Sequence, residues 1–270
     1  MDRRPIGVFD SGLGGLTCVR ELMKQLPYED VIYFGDTGRV PYGTRSRETI
    51  IKYVRQDIRF LESFDIKAII IACGTASSAA LPWLAEGKNT KIMGVVEPAA
   101  YAAVRSTKNK RIGVLGTGAT VKYGKYVENI KNICPEAMVF QKACPMFVPL
   151  VENGYAESEV TKIIANEYLA EIKKKQVDTL ILGCTHYPLL KSIIGEIMGD
   201  GVTLIDSGAT AADFARELLS GQGMLNDENK KRGEYKYFVS DSTEEFAKLG
   251  GMFLNCPIDA AVNRVDIEKY

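Results

Sequence analysis

The chain has 270 residues and 46% hydrophobic content, enough for buried cores in one large or two modest domains. Its 34 Lys and Arg balance 34 Asp and Glu, and no basic run marks a nucleic-acid groove or an acidic membrane surface, so those partner classes are excluded. No signal-type apolar region precedes Ile6, and no run approaches the roughly 18 apolar residues of a membrane span, so a cytoplasmic protein without membrane association is expected. In that reducing compartment the 6 Cys should be free thiols, and they contain no Cys-x-x-Cys pair of the kind that holds zinc.

Strand-like runs begin near Ile6, Val31, Ala68, Ile92, Ile112, Met138, Thr179, Val202 and Tyr235. Between them Leu16 to Gln25, Arg47 to Ser63, Glu157 to Lys174 and Tyr187 to Met198 carry apolar residues at helical spacing with charges opposite, and a further helix follows from Thr243. Such alternation predicts an α/β fold with parallel sheets and right-handed crossovers. A weak repeat, Ile6-Gly7-Val8-Phe9-Asp10-Ser11-Gly12 against Ile112-Gly113-Val114-Leu115-Gly116-Thr117-Gly118, predicts two related halves. Pro98 suggests a boundary near Glu97-Pro98. Tyr235 to Phe238 and the helix from Thr243 are expected to return to one of the two halves. Asn226 to Gly233 reads as a charged, solvated loop.

The turn Asp10-Ser11-Gly12-Leu13-Gly14-Gly15 follows the first strand. Glycines there allow backbone N–H groups to approach an anion at a helix N-terminus. A dinucleotide fingerprint is one reading, with Asp36 as the ribose acid, but Thr17 stands where the third glycine should be. Gly116-Thr117-Gly118 fails in the same way at Val121, and a carboxylate ligand suits both turns equally. Asp10 reads either as a helix cap or as a catalytic carboxylate. Pro41-Tyr42-Gly43 reads as turn chemistry, or as a loop in which the Tyr42 hydroxyl meets a substrate.

Two cysteines stand in matching places. Cys73 closes Ala68-Ile69-Ile70-Ile71-Ala72, and Cys184 closes Asp178-Thr179-Leu180-Ile181-Leu182-Gly183, each followed by Thr and small residues. Continuous apolar runs of this kind are parallel strands buried on both faces, which puts each thiol at a strand's carboxyl end, where open α/β sheets bind ligands. A single buried Cys is usually a packing residue. The duplicated context favours a functional pair. His186, the only histidine, lies two residues beyond Cys184. Cys-x-His alone supplies too few ligands for a metal, which leaves a proton relay, a Cys-His nucleophile or a surface histidine.

These segments together resemble the glutamate racemases of the aspartate/glutamate racemase superfamily, from about Ile6 to Phe253. The carriers are the Gly7 to Gly15 stretch, Gly35-Asp36, Pro41-Tyr42-Gly43, Ala72-Cys73-Gly74-Thr75, Gly183-Cys184-Thr185-His186-Tyr187-Pro188 and Ile205-Asp206-Ser207-Gly208. The resemblance implies two doubly wound α/β lobes related by pseudo-symmetry, the first of residues 1–97 completed by 211–270 and the second of 98–210, with the active site in the cleft between them and a homodimeric assembly. It implies cofactor-independent and metal-independent interconversion of L- and D-glutamate by two thiols, supplying D-glutamate for peptidoglycan. Asp10 would assist Cys73, and His186 with Glu152 would assist Cys184. Substrate contacts would come from Asp10, Ser11, Tyr42, Gly43, Gly74, Thr75, Thr117, Thr120, Thr185 and His186. The family usually has Asn after the first cysteine, whereas this chain has Gly74. An aspartate racemase and a non-catalytic amino-acid-binding relative are the alternatives.

Overall fold

The computed structural model describes residues 2–84, 90–226, 231–258 and 261–270. Its strands are β1 (Ile6–Asp10), β2 (Val31–Gly35), β3 (Ala68–Ile71), β4 (Lys91–Gly94), β5 (Arg111–Gly116), β6 (Met138–Ala143), β7 (Thr179–Leu182), β8 (Thr203–Asp206), β9 (Tyr235–Val239) and β10 (Val262–Arg264). They form two sheets, ordered β10-β9-β2-β1-β3-β4 and β6-β5-β7-β8, with every pairing parallel.

The two sheets follow one plan. From β1 the chain moves to β2 on one side and then to β3 on the other; from β5 it moves to β6 and then to β7 in the same way. The repeat seen in the sequence therefore marks the two strands about which the winding reverses. Cys73 follows β3 and Cys184 follows β7, so the thiols occupy corresponding places in the two halves. The fold is α/β, built as two parallel-sheet lobes.

The central strands β1, β2, β3 and β7 are buried along their whole length, which is why they read as unbroken apolar runs. Hydroxyls and a carboxylate start the helices: Ser46 accepts from the Thr49 N–H, Ser158 from Thr161, Ser242 from Glu245, and Asp206 from Gly208 and Ala209. The expected helix over Tyr187 to Met198 is a 3-10 turn, Tyr187–Leu190, leading into an α-helix, Lys191–Met198.

The Glu97-Pro98 junction lies in the first turn of a helix, Val96–Ser106, that packs on β7, β8 and the helix Lys125–Ile133. Residues 210 and 211 lie within the helix Ser207–Gly221, which packs on both Val96–Ser106 and Leu16–Gln25. The chain then returns to extend the first sheet with β9 and β10.

Of the loop expected at Asn226 to Gly233, residues 227–230 lie outside the described residues. Its first residue is not solvated: Asn226 is buried, its N–H donating to Glu29 and its side-chain amide to the Tyr28 carbonyl. Among the described residues no helix is long and apolar enough to cross a membrane.

Candidate active site

A cavity of about 350 Å³ opens where the carboxyl ends of both sheets meet. Its wall takes Ser11, Tyr42, Gly43, Cys73, Gly74 and Thr75 from the first half and Thr117, Glu152, Cys184, Thr185 and His186 from the second. The two topological switch points thus face one space, the position at which open parallel sheets bind ligands. Asp10 and Thr120 have no solvent exposure and stand directly behind this wall. The two thiols, His186, Glu152 and the expected substrate contacts are brought to this wall or directly behind it.

Both thiols are buried, but their surroundings differ. Cys73 opens the helix Gly74–Ala79: its sulfur accepts from the Ala76 N–H at 3.4 Å and lies 3.5 Å from Ser11 Oγ. Burial, followed by the charge of Asp10, pushes this thiol up to about 12. Asp10 bonds elsewhere, accepting from the Gly12 N–H at 3.0 Å and from Thr185 Oγ1 at 3.5 Å, and burial raises its own carboxyl above the usual range. It acts on Cys73 through charge rather than through a bond.

On the other side, Cys184 Sγ lies 3.9 Å from His186 Nδ1, and His186 Nε2 lies 2.9 Å from Glu152 Oε1. Burial opposes charge on this imidazole, but its bonds to Cys184 and Glu152 outweigh burial and raise it to about 10. These two partners favour the protonated form of the imidazole. The Tyr187 hydroxyl, 3.0 Å from the carbonyls of Gly116 and Cys144, ties the ends of β5 and β6 to the Cys184 segment.

The glycine turn has a purpose different from phosphate binding. A Cβ on Gly14 would come within 2.2 Å of Thr185 Oγ1 and 2.5 Å of His186 Nδ1. The space a phosphate would need is filled by the opposite half, and Thr17 Oγ1 donates to the Thr185 carbonyl at 2.9 Å across the same seam. Asp36, the candidate ribose acid, is wholly buried and bonded to Arg39, Tyr42 and Ser240. The Tyr42 hydroxyl likewise turns toward Asp36 and Asp57 rather than into the cavity, so Tyr42 lines the wall with other atoms. Thr75, Thr117 and Thr120 form a triangle of hydroxyls, with separations of 2.9, 3.4 and 3.0 Å, that joins the halves beside the cavity.

Cys144, Pro145, Val148 and Pro149 also line the cavity and were not singled out in the sequence. Cys144 ends β6 as Cys73 ends β3, but β6 is a half-exposed edge strand without an unbroken apolar run to announce it. Burial pushes this third thiol up to about 12.

The sequence model of the Asp/Glu/Hydantoin racemase family matches residues 12–215. Glutamate racemase from Geobacter metallireducens is 46% identical over 254 residues, covering 94% of each chain. The chain belongs to the glutamate racemase family. Among solved members, the Bacillus anthracis isoform RacE1 superposes with a TM-score of 0.94 at 36% identity, covering 98% of each chain. The Francisella tularensis glutamate racemase, solved with D-glutamate, gives 0.92 at 38% identity over the whole of both chains. The protein is accordingly an isomerase, an amino-acid racemase.

Proposed function

We propose that this racemase interconverts L- and D-glutamate by a two-base reaction in which Cys73 and Cys184 act on opposite faces of Cα. Inverting a stereocentre requires one group to remove the α-proton while another delivers a proton to the other face. The observation that carries the reading is the placement of two buried thiols at matching strand ends of two matching halves, on one shared cavity. The F. tularensis relative, solved with D-glutamate, supports the choice of substrate.

The thiols' surroundings differ, and with them the proposed roles: Cys184, with the His186 imidazole 3.9 Å from its sulfur, takes the α-proton of one enantiomer, while Cys73, whose proton is favoured by burial, delivers one to the opposite face. Turnover leaves the protons exchanged for the other enantiomer. Glu152 holds the imidazole in place through Nε2. Asp10, behind Ser11 and Cys73, keeps the proton on Cys73 until the substrate's ammonium group enters.

Among the described residues no Lys or Arg lines the cavity, so the substrate carboxylates are held by neutral donors and by His186. Cys73 and Thr117 each take the N–H of the third residue after them, which leaves the N–H groups of Gly74, Thr75, Gly118 and Ala119 free of intrahelical partners. These groups, with the threonine hydroxyls, would stabilise the charge that develops on the α-carboxylate as the proton leaves. The product would supply D-glutamate for peptidoglycan in the cytoplasm.

The deciding experiment incubates pure protein with L-glutamate in deuterated buffer, following circular dichroism and deuterium at Cα. Loss of optical activity with deuterium incorporation is expected. Binding without exchange would leave an amino-acid-binding protein, and faster exchange of aspartate would reassign the substrate.

A further inference from the structure

Tyr42 and Gly43 line the cavity, yet the Tyr42 hydroxyl ends in a closed polar cluster behind it. It lies 2.5 Å from Asp36 Oδ2 and 3.0 Å from Asp57 Oδ2, and neither carboxyl side chain has any exposure. Arg39 spans the pair, with Nε donating to Asp36 at 2.7 Å and Nη2 to Asp57 at 2.9 Å. Its Nη1 reaches Gln56 at 2.6 Å and the more exposed Glu268 at 3.2 Å.

The proton count does not close if both aspartates are charged. A phenol carries one proton and can donate to only one of the two oxygens it touches. The other would face the phenol oxygen as acceptor against acceptor, inside the protein, with a single guanidinium to offset two buried negative charges. The donors distinguish the two carboxyls. Apart from the phenol that both touch, Asp36 receives Arg39 Nε and Ser240 Oγ, whereas among the described residues Asp57 receives only Arg39 Nη2.

We infer that Asp57 is a neutral carboxylic acid that donates to Tyr42 Oη, that Tyr42 in turn donates to the Asp36 carboxylate, and that this relay positions the Tyr42-Gly43 wall of the cavity. Burial and the neighbouring Asp36 charge both act in this direction, raising the Asp57 carboxyl well above its ordinary range. The charged groups facing it are Asp36 and Arg39, with Glu268 beyond the guanidinium. Tyr42, Asp36 and Asp57 are thus positioning residues. The proposal rests on the reading that this cavity binds glutamate.

Asp57→Asn tests it directly, because a carboxamide N–H can replace the inferred O–H while its oxygen still accepts from Arg39. Asp57→Asn should keep the KM for glutamate within about threefold of wild type, whereas Asp36→Asn and Tyr42→Phe should raise it about tenfold or more, with kcat changing less. Infrared difference spectra of wild type minus Asp57→Asn should show the carbonyl stretch of an un-ionised carboxylic acid. Absence of that band, or an Asp57→Asn variant as impaired as Asp36→Asn, overturns the proposal. The spectral test stands if Asp36→Asn fails to fold. It is also independent of turnover: a wild-type protein without racemase activity would sink the functional reading and leave the relay to be judged by the band.

Discussion

Gly74 rests against the carbonyl of Gly183 so closely that a Cβ at position 74 would lie 2.3 Å from that oxygen. The residue after one thiol therefore touches the residue before the other, backbone to backbone, across the two halves. The asparagine usual in the family at this position would not fit here without separating the strand ends. Gly74→Asn should destabilise the protein by about 1–3 kcal/mol, as overpacking does elsewhere, and should lower the rate with L-glutamate. Thermal melts and initial rates check this. A Gly74→Asn variant that is both as stable as and faster than wild type would mean that a missing amide donor, rather than close packing, is what distinguishes this site.

The two thiols should be individually indispensable. Cys73→Ala and Cys184→Ala should each lower racemisation in both directions by a factor of about 10² to 10⁴, the usual contribution of a positioned proton-transfer group. Circular dichroism starting from each enantiomer measures it. Cys144→Ala, which removes the third cavity-lining thiol, should retain turnover; loss of activity there with both other cysteines intact would move a proton-transfer role to β6.

The His186 cation links stability to pH. Its folded-state value is raised from 6.5 to about 10, so the stabilisation it draws from Glu152 and Cys184 is complete below pH 6.5 and disappears as pH rises through 10. Melting temperatures of wild type and His186→Gln, compared from pH 6 to 10, should differ most at the acid end and converge toward the alkaline end. A gap that does not change across this range would show that His186 is neutral in the folded protein.

Gly14→Ala should be far more damaging than a surface Gly→Ala change. Its methyl would press on Thr185 Oγ1 and His186 Nδ1, shifting the imidazole from Cys184. The expected cost is about 1–3 kcal/mol of stability, together with a fall in kcat. Gly118→Ala, where nothing lies within 4 Å of the added carbon, is the control and should be close to neutral in stability.

The parts of this structure legible in the sequence are those set by burial on both faces of a sheet. Runs such as Ala68 to Ile71 and Thr179 to Leu182 have no solvent side, so they show no alternation and end abruptly at the cysteines. Strand β10, Val262–Arg264, was not anticipated, because three partly exposed edge residues leave no apolar run. The helices Gly118–Tyr123 and Lys125–Ile133 were missed because Gly124, at φ +66, breaks the helical period between them.

Within the site, the thiols, His186 and the glycine turn were readable because each follows closely on a strand whose full burial makes it legible. The Asp36, Tyr42 and Asp57 cluster was not. Asp57 sits in a charge-rich helix, Arg47–Glu62, where an acid reads as part of the wet face, and only the tertiary fold turns it inward against Arg39.

The first sheet receives its outer strands β9 and β10 from the last quarter of the chain, while β5 to β8 are contiguous in sequence. During synthesis on a ribosome the second lobe can finish its sheet while β2, buried throughout in the mature protein, still waits for residues 235–239 to cover its open edge. At that stage the nascent chain holds one finished half and one adhesive half.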